Sequence, residues 1–182
     1  MKSDLELVAD FRKGDSAAFE KLVRRHQLSL FNFFYSLVQC DSLAGHLTQE
    51  TFLHVVTDRQ AVAPQSDFNI SLLRSASSRW LEFAGRMPES ASIETPAGVE
   101  RPNFDAEVSR AFSALSRPLM LVVVLSGTCG LSYGEIADVL ELPRAGVEAR
   151  MNEAYQRLRT QILTRIAAQS TQSLAFGNLD AV

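Results

Sequence analysis

Arg144, Arg150, Arg157 and Arg159 fall close together in one stretch of the chain. A guanidinium pairs in two-pronged fashion with a phosphate or with the O6 and N7 of guanine, so the chemistry these residues suggest is nucleic-acid binding. No covalent step is needed. The stretch that must position them is LSYGEIADVLELPRAGVEARMNEAYQRLR, 131–159. Ser132 and Glu135 form an S-x-x-E capping box, and Leu131 and Ile136 stand where a hydrophobic staple would join them, so a helix is predicted to start at Tyr133. It carries Ile136, Ala137 and Leu140 inward and stops at Glu141-Leu142-Pro143, because Pro143 cannot donate within a running helix but suits the first turn of a new one. The next helix repeats Val147, Met151, Ala154, Leu158 and Ile162 on one face at about 100° per residue. Two short amphipathic helices across a tight break are the pattern of a helix-turn-helix, whose second helix can lie in the DNA major groove.

That stretch resembles region 4 of the small bacterial sigma factors of the extracytoplasmic-function (ECF) type, usually close to L-S-Y-E-E-I-A-E-I-L-G-I-P-x-G-T-V-K-S-R-L-x-R-A-R-x-R-L-R. Ser132, Tyr133, Glu135, Pro143, Val147, Arg150, Ala154, Arg157 and Arg159 match. Glu148 stands at a usual Lys, and Glu153 and Tyr155 at usual Arg positions. Each lost cation weakens the phosphate contribution to binding.

A second match lies upstream. Asp41, Leu47, Thr48, Gln49, Glu50, Thr51, Phe52 and Leu53 fit the wording of region 2.2 in the same family, with Gly45 and His46 replacing acidic residues. The resemblance implies that Asp41, Leu47, Gln49, Glu50, Phe52 and Leu53 meet the β′ clamp helices of core RNA polymerase. It also implies −10 element contacts from Arg74, Arg79 and Arg86, and −35 contacts from Arg144, Arg150, Arg157 and Arg159. The match over the −10 segment is thin: Phe68, Leu72, Ala76 and Arg86 agree, whereas Ser71 and Ser78 stand for Trp and Asn. Further implied partners are the β flap of polymerase, promoter DNA and an anti-sigma factor.

The elements that carry these surfaces are legible as helices. Leu5, Val8 and Ala9 mark a first one ending at Gly14, and Asp15 caps the next. Phe19, Leu22, Val23, His26, Leu30, Phe33, Phe34 and Leu37 form a broad apolar stripe, with Lys21, Arg24 and Arg25 on the solvated side. A third helix follows Cys40-Asp41-Ser42. Arg59 to Asp67 reads as a loop, and Asp67 caps a helix from Phe68 to Ala84 that buries Leu72, Leu73, Ala76 and Trp80. Proline, glycine and acidic residues from Met87 to Pro102 have the composition of a flexible linker. The run LMLVVVL, 119–125, suits strand or helix; Ser116 as cap, Pro118 in the first turn and the want of a partner strand favour helix.

The expected fold is all-α: two small helical domains joined by a flexible linker. The boundaries are 1–87 for the region 2-like domain, 88–103 for the linker, 104–168 for the region 4-like helix-turn-helix domain and 169–182 for a C-terminal tail, the last helix reaching Ile166. A 182-residue chain with 46% hydrophobic and 21% charged residues has the composition of a folded globular protein. Its net charge of −3 excludes a polycation that coats nucleic acid. Cys40 and Cys129 lack zinc-ligand spacing and neighbouring histidines, and free thiols suit a reducing cytoplasm. No apolar run is long enough for a membrane span and no signal peptide is evident, so a cytoplasmic location is expected. Gly-rich phosphate loops, HExxH and a Ser/His/Asp set are missing, so neither an enzyme nor a cofactor is expected.

Two functions compete. One is a transcription initiation factor that binds core polymerase and directs it to promoters under anti-sigma control. The other is a degenerate sigma-like protein that keeps the polymerase or anti-sigma surface and reads promoters poorly. The second draws on charge: from 115 to 166 six arginines oppose five acidic residues, a net of +1. Tethering to polymerase offsets that deficit by effective concentration and favours the first.

Overall fold

The structure is a computed structural model that describes residues 2–58, 62, 67–86 and 103–176, with side chains in the last stretch from Val108 to Thr164. Eight helices and no strand occur among the described residues: α1 (Asp4–Arg12), α2 (Ser16–Val38), α3 (Asp41–Thr57), α4 (Phe68–Gly85), α5 (Asn103–Ser113), α6 (Arg117–Gly127), α7 (Tyr133–Leu140) and α8 (Arg144–Phe176). The all-α expectation therefore holds. The expected linker from Met87 to Pro102 and most of the 59–67 loop lie outside the described residues.

Helix starts follow the caps read from sequence. Asp15 accepts from the amides of Ala17 and Ala18, and Asp67 accepts from Asn69. Ser132 and Glu135 complete their reciprocal box. A second such box, Ser3 with Glu6, opens α1; its S-x-x-E spacing is equally readable. Ser116 sits at the N-cap of α6 but its hydroxyl makes no cap bond, so Pro118 in the first turn is the surviving local signal.

Two expectations need correction. Leu5 is 54% exposed and Ala9 is exposed; α1 instead turns Leu7, Val8 and Phe11 inward. The last helix does not fade at Ile166 but continues to Phe176, in keeping with a run that holds three alanines and two glutamines and meets no glycine or proline before Gly177. The proposed 169–182 tail is thus helical through Phe176, and the side chains of Leu174 and Phe176 lie outside the described residues.

Helices α1 to α4 pack around Phe11, Leu22, Phe33, Phe34, Leu47, Phe68, Leu72 and Trp80, all nearly inaccessible. Helices α6 to α8 pack around Leu121, Val122, Leu125, Ile136, Val147, Met151 and Ala154. The two groups also meet, chiefly where α4 lies on α7 and α2 on α6, so their buried residues form one continuous cluster. Nothing in the local sequence pattern signals this contact.

Arg25, expected on the solvated side, is instead part-buried, and together with His26, half-buried in the apolar stripe, it pins α1 to α2. Arg25 Nη1 and His26 Nε2 reach the two oxygens of Asp4, and the imidazole also meets Phe68 edge-on. Burial raises the Asp4 pKa, but the hydrogen bonds from Arg25 and His26 outweigh it and hold the carboxyl below its ordinary 3.8. A carboxyl whose pKa is depressed on folding stabilises the fold above its unfolded pKa and loses that contribution as pH falls through the folded value. Asp4→Asn should therefore lower the urea midpoint near neutral pH, and the gap to the parent should close as pH falls well below 3.8 into acid. Urea titrations at the two pH values check this; a gap that persists in acid would place the effect elsewhere.

Candidate nucleic-acid interface

The break between α7 and α8 is built as the sequence implied, with one unexpected residue. Glu141 caps α7 in the left-handed region at φ 53° and ψ 44°, a conformation that L side chains seldom adopt. Leu142 N–H then donates to Ala137 O, and the Pro143 carbonyl accepts from Val147, so α8 starts directly after the proline. Val147, Met151 and Ala154 are fully buried and Leu158 partly, which fixes the rotation of α8 on α6 and α7.

With that face inward, the opposite side is set by helix geometry. At about 100° per residue, Ala145, Ala149, Gln156 and Thr160 form the outermost stripe, with Asn152 and Glu153 about 50° to either side; all six are exposed. Arg150 and Arg157 lie along one flank of it, Arg144 and Arg159 along the other. The four candidate −35 cations thus border the stripe on both sides without forming a single patch. Asn and Gln amides can read an adenine edge in two-pronged fashion, and alanine permits close approach to the groove floor. Asn152 and Gln156 were missed from sequence, although their spacing is set by the buried residues of the same helix.

The flanks are partly neutralised. Arg144 Nε lies 3.0 Å from Glu148 Oε1, and Arg157 Nη2 lies 2.6 Å from Glu153 Oε1. Among the described residues Arg150 and Arg159 make no ion pair. Exposed pairs of this kind are weak, so a phosphate can displace them at little cost.

The three −10 candidates do not converge. Arg79 approaches Glu50 of α3 at 4.0 Å, and its buried Nε finds no acceptor among the described residues. Arg86 pairs with Glu82 one turn back. Arg74 donates from Nη2 to the Asp138 carbonyl at 2.7 Å and lies 3.6 Å from Glu141 Oε1, both at the C-terminal end of α7. Trp80, read as core, is 2% exposed.

On α3 the six candidate polymerase contacts divide. Leu47 and Phe52 are packed in the core, Phe52 edge-on to Phe19, because the apolar stripe of α3 needs them there. They set the helix's rotation and present little surface. Asp41, Gln49 and Leu53 are exposed and Glu50 is half-exposed, between His46 at 3.4 Å and Arg79. Leu53 is 63% exposed, a large apolar side chain bare on the same outward stripe as Gln49.

Of the two thiols, Cys40 is hydrogen-bonded to Ser42, which lowers its pKa, whereas burial pushes Cys129 up to about 11. The described residues contain no cluster suited to a metal ion and no helix long and apolar enough to cross a membrane.

The described residues thus form a helix-turn-helix module packed on a four-helix group. Residues 105–158 match the family model "Sigma-70, region 4". The RNA polymerase sigma factor CarQ of Myxococcus xanthus is 29% identical over 159 residues, covering 82% of this chain and 91% of the relative. The ECF RNA polymerase sigma factor SigE of Mycolicibacterium smegmatis is 28% identical over 177 residues, 88% of this chain and 68% of the relative. The ECF RNA polymerase sigma-E factor of Escherichia coli is 25% identical, covering 88% and 94%. In fold the chain is similar to CnrH, solved in complex with the cytosolic domain of CnrY, with TM-score 0.71, 23% identity and coverage of 90% and 99%. It is also similar to the sigma factor RpoE of Bartonella quintana, solved with the anti-sigma factor NepR, with TM-score 0.62, 18% identity and coverage of 79% and 96%. Over most of its length the chain is thus similar to sigma factors of the ECF type, and residues 105–158 match the region 4 model.

Proposed function

We propose that this protein is a transcription initiation factor that binds core RNA polymerase, directs it to promoters and is held in check by an anti-sigma factor. Exposure supports most of the residue roles in this reading. Asp41, Gln49, Glu50 and Leu53 meet polymerase, with Leu47 and Phe52 beneath them; α8 enters the −35 major groove with Asn152 and Gln156 toward the bases and its four arginines toward the two phosphate backbones. Arg74, Arg79 and Arg86 serve the −10 element. We take 1–87 as the polymerase and −10 domain and 104–168 as the −35 domain, joined through 88–103. The observation that carries the reading is the outward stripe of α8, polar and small, bordered on both sides by arginine. Nothing in this task needs a bound metal or a covalent step by this chain, and work on polymerase places it in the cytoplasm.

The Arg144–Glu148 and Arg157–Glu153 pairs favour a second reading, a sigma-like protein that binds polymerase but reads DNA poorly. Reconstitution with core polymerase on fragmented genomic DNA separates the two. Initiation from a small set of shared sequences is the expected result. A stable complex with polymerase that starts nowhere specific would establish the second reading, and no complex at all would defeat both.

A further inference from the structure

Of the two acidic residues on α8, Glu153 stands nearer the outer face of the helix. It lies about 50° from the outermost stripe, whereas Glu148 lies about 90° from it, beside the DNA backbone rather than over the bases. The Glu153 side chain is 50% exposed, and its Oε1 receives the Arg157 guanidinium at 2.6 Å, one turn on. That pair is exposed and weak, so a DNA phosphate draws Arg157 away at little cost. The carboxylate is then left facing the groove with its acceptors open. Ala149, one turn earlier and also exposed, has no side chain long enough to stand between Glu153 and a base edge. Between two phosphate backbones such a carboxylate costs affinity unless it meets a donor.

The base edges decide which donor it can meet. In the major groove guanine and thymine present acceptors, adenine an amino group beside its N7 acceptor, and cytosine an amino group alone. A carboxylate therefore accepts a hydrogen bond from cytosine N4 without facing a lone pair next to it, and is repelled by the oxygens of guanine and thymine. We propose that Glu153 selects a cytosine at one position of the −35 element, as much by repelling the other bases as by bonding this one. The inference rests on the promoter-reading function above and deepens it. Asn152 and Gln156 carry amides suited to adenine, so the outer face of α8 combines adenine-reading groups with a cytosine-reading one. The small net charge of this helix-turn-helix then has a use: the carboxylate that lowers affinity for arbitrary DNA widens the contrast between right and wrong sites.

The test is a promoter library randomised across the −35 element, transcribed by core polymerase with this protein and read by sequencing the transcripts. The parent should favour cytosine over the other bases at one position by about fivefold or more. Glu153→Gln should move that position toward adenine, whose N6 and N7 an amide pairs with, and Glu153→Ala should leave it without preference. Preferences elsewhere in the element should persist in both variants. Both should also bind arbitrary DNA severalfold more tightly than the parent, because a negative charge has left the groove. Residue 153 is exposed, so α8 should stay folded in each. No cytosine preference in the parent, cytosine still preferred by Glu153→Ala, or a uniform loss at every position would each overturn the assignment while leaving the sigma reading intact. If the parent starts transcription at no specific sequence, the sigma reading itself falls, and the assignment with it.

Discussion

Replacing Asn152 and Gln156 together with alanine is expected to lower transcription from a −35-dependent promoter by at least about 30-fold, since each two-pronged base contact supplies about 1–3 kcal/mol of discrimination. Both side chains are exposed, so the fold should be unaffected. Polymerase affinity and the salt dependence of binding to arbitrary DNA should hardly change, because neither residue neutralises a phosphate. Arg157→Ala makes the contrast: it should weaken binding to all sequences alike and reduce the log–log salt slope by about one unit. Run-off transcription and filter binding at three salt concentrations read both effects. A double alanine variant with full promoter preference would show that α8 does not read bases through this stripe.

The largest stability effect is expected at Trp80. Its side chain is 2% exposed and lies beside Phe83, with ring centroids 6.3 Å apart. Truncating such a residue to alanine costs about 3–5 kcal/mol in lost contacts and cavity, a large share of the ~5–15 kcal/mol that holds a typical domain together. The indole N–H finds no acceptor among the described residues, so most of the loss is expected from the ring's apolar contacts. Trp80→Phe should therefore cost well under half as much as Trp80→Ala. Urea unfolding followed by circular dichroism gives both values. Equal losses would mean that the N–H is satisfied and contributes.

What can be read in advance is local. Asp15, Asp67 and the Ser132–Glu135 box act within one turn of chain, so three helix starts are visible in the residues themselves. The apolar run 119–125 is decided by Pro118 and the want of a partner strand, since the Ser116 hydroxyl makes no cap bond. The overlooked Ser3–Glu6 box is equally local; the misplaced end of α8 comes from expecting a stop where no breaker stands. The candidate site is half legible. Periodicity places Val147 and Met151 inward, which in turn decides that Asn152 and Gln156 face out, but family wording draws attention to arginines instead. It also names Leu47 and Phe52 as contacts, when their types at that spacing mark them as core. The contact between α4 and α7 cannot be read at all: Arg74 and Asp138 lie 64 residues apart, and the acceptor is a backbone carbonyl, the same at every position.

The unlike surroundings of the two thiols have a practical side. At neutral pH the thiolate is the species that alkylating reagents attack, and it forms far more readily at Cys40 than at Cys129. The unaltered chain therefore carries its own selective handle at the junction of α2 and α3, where one fluorophore can be attached without engineering to follow how that corner of the molecule behaves as partners arrive.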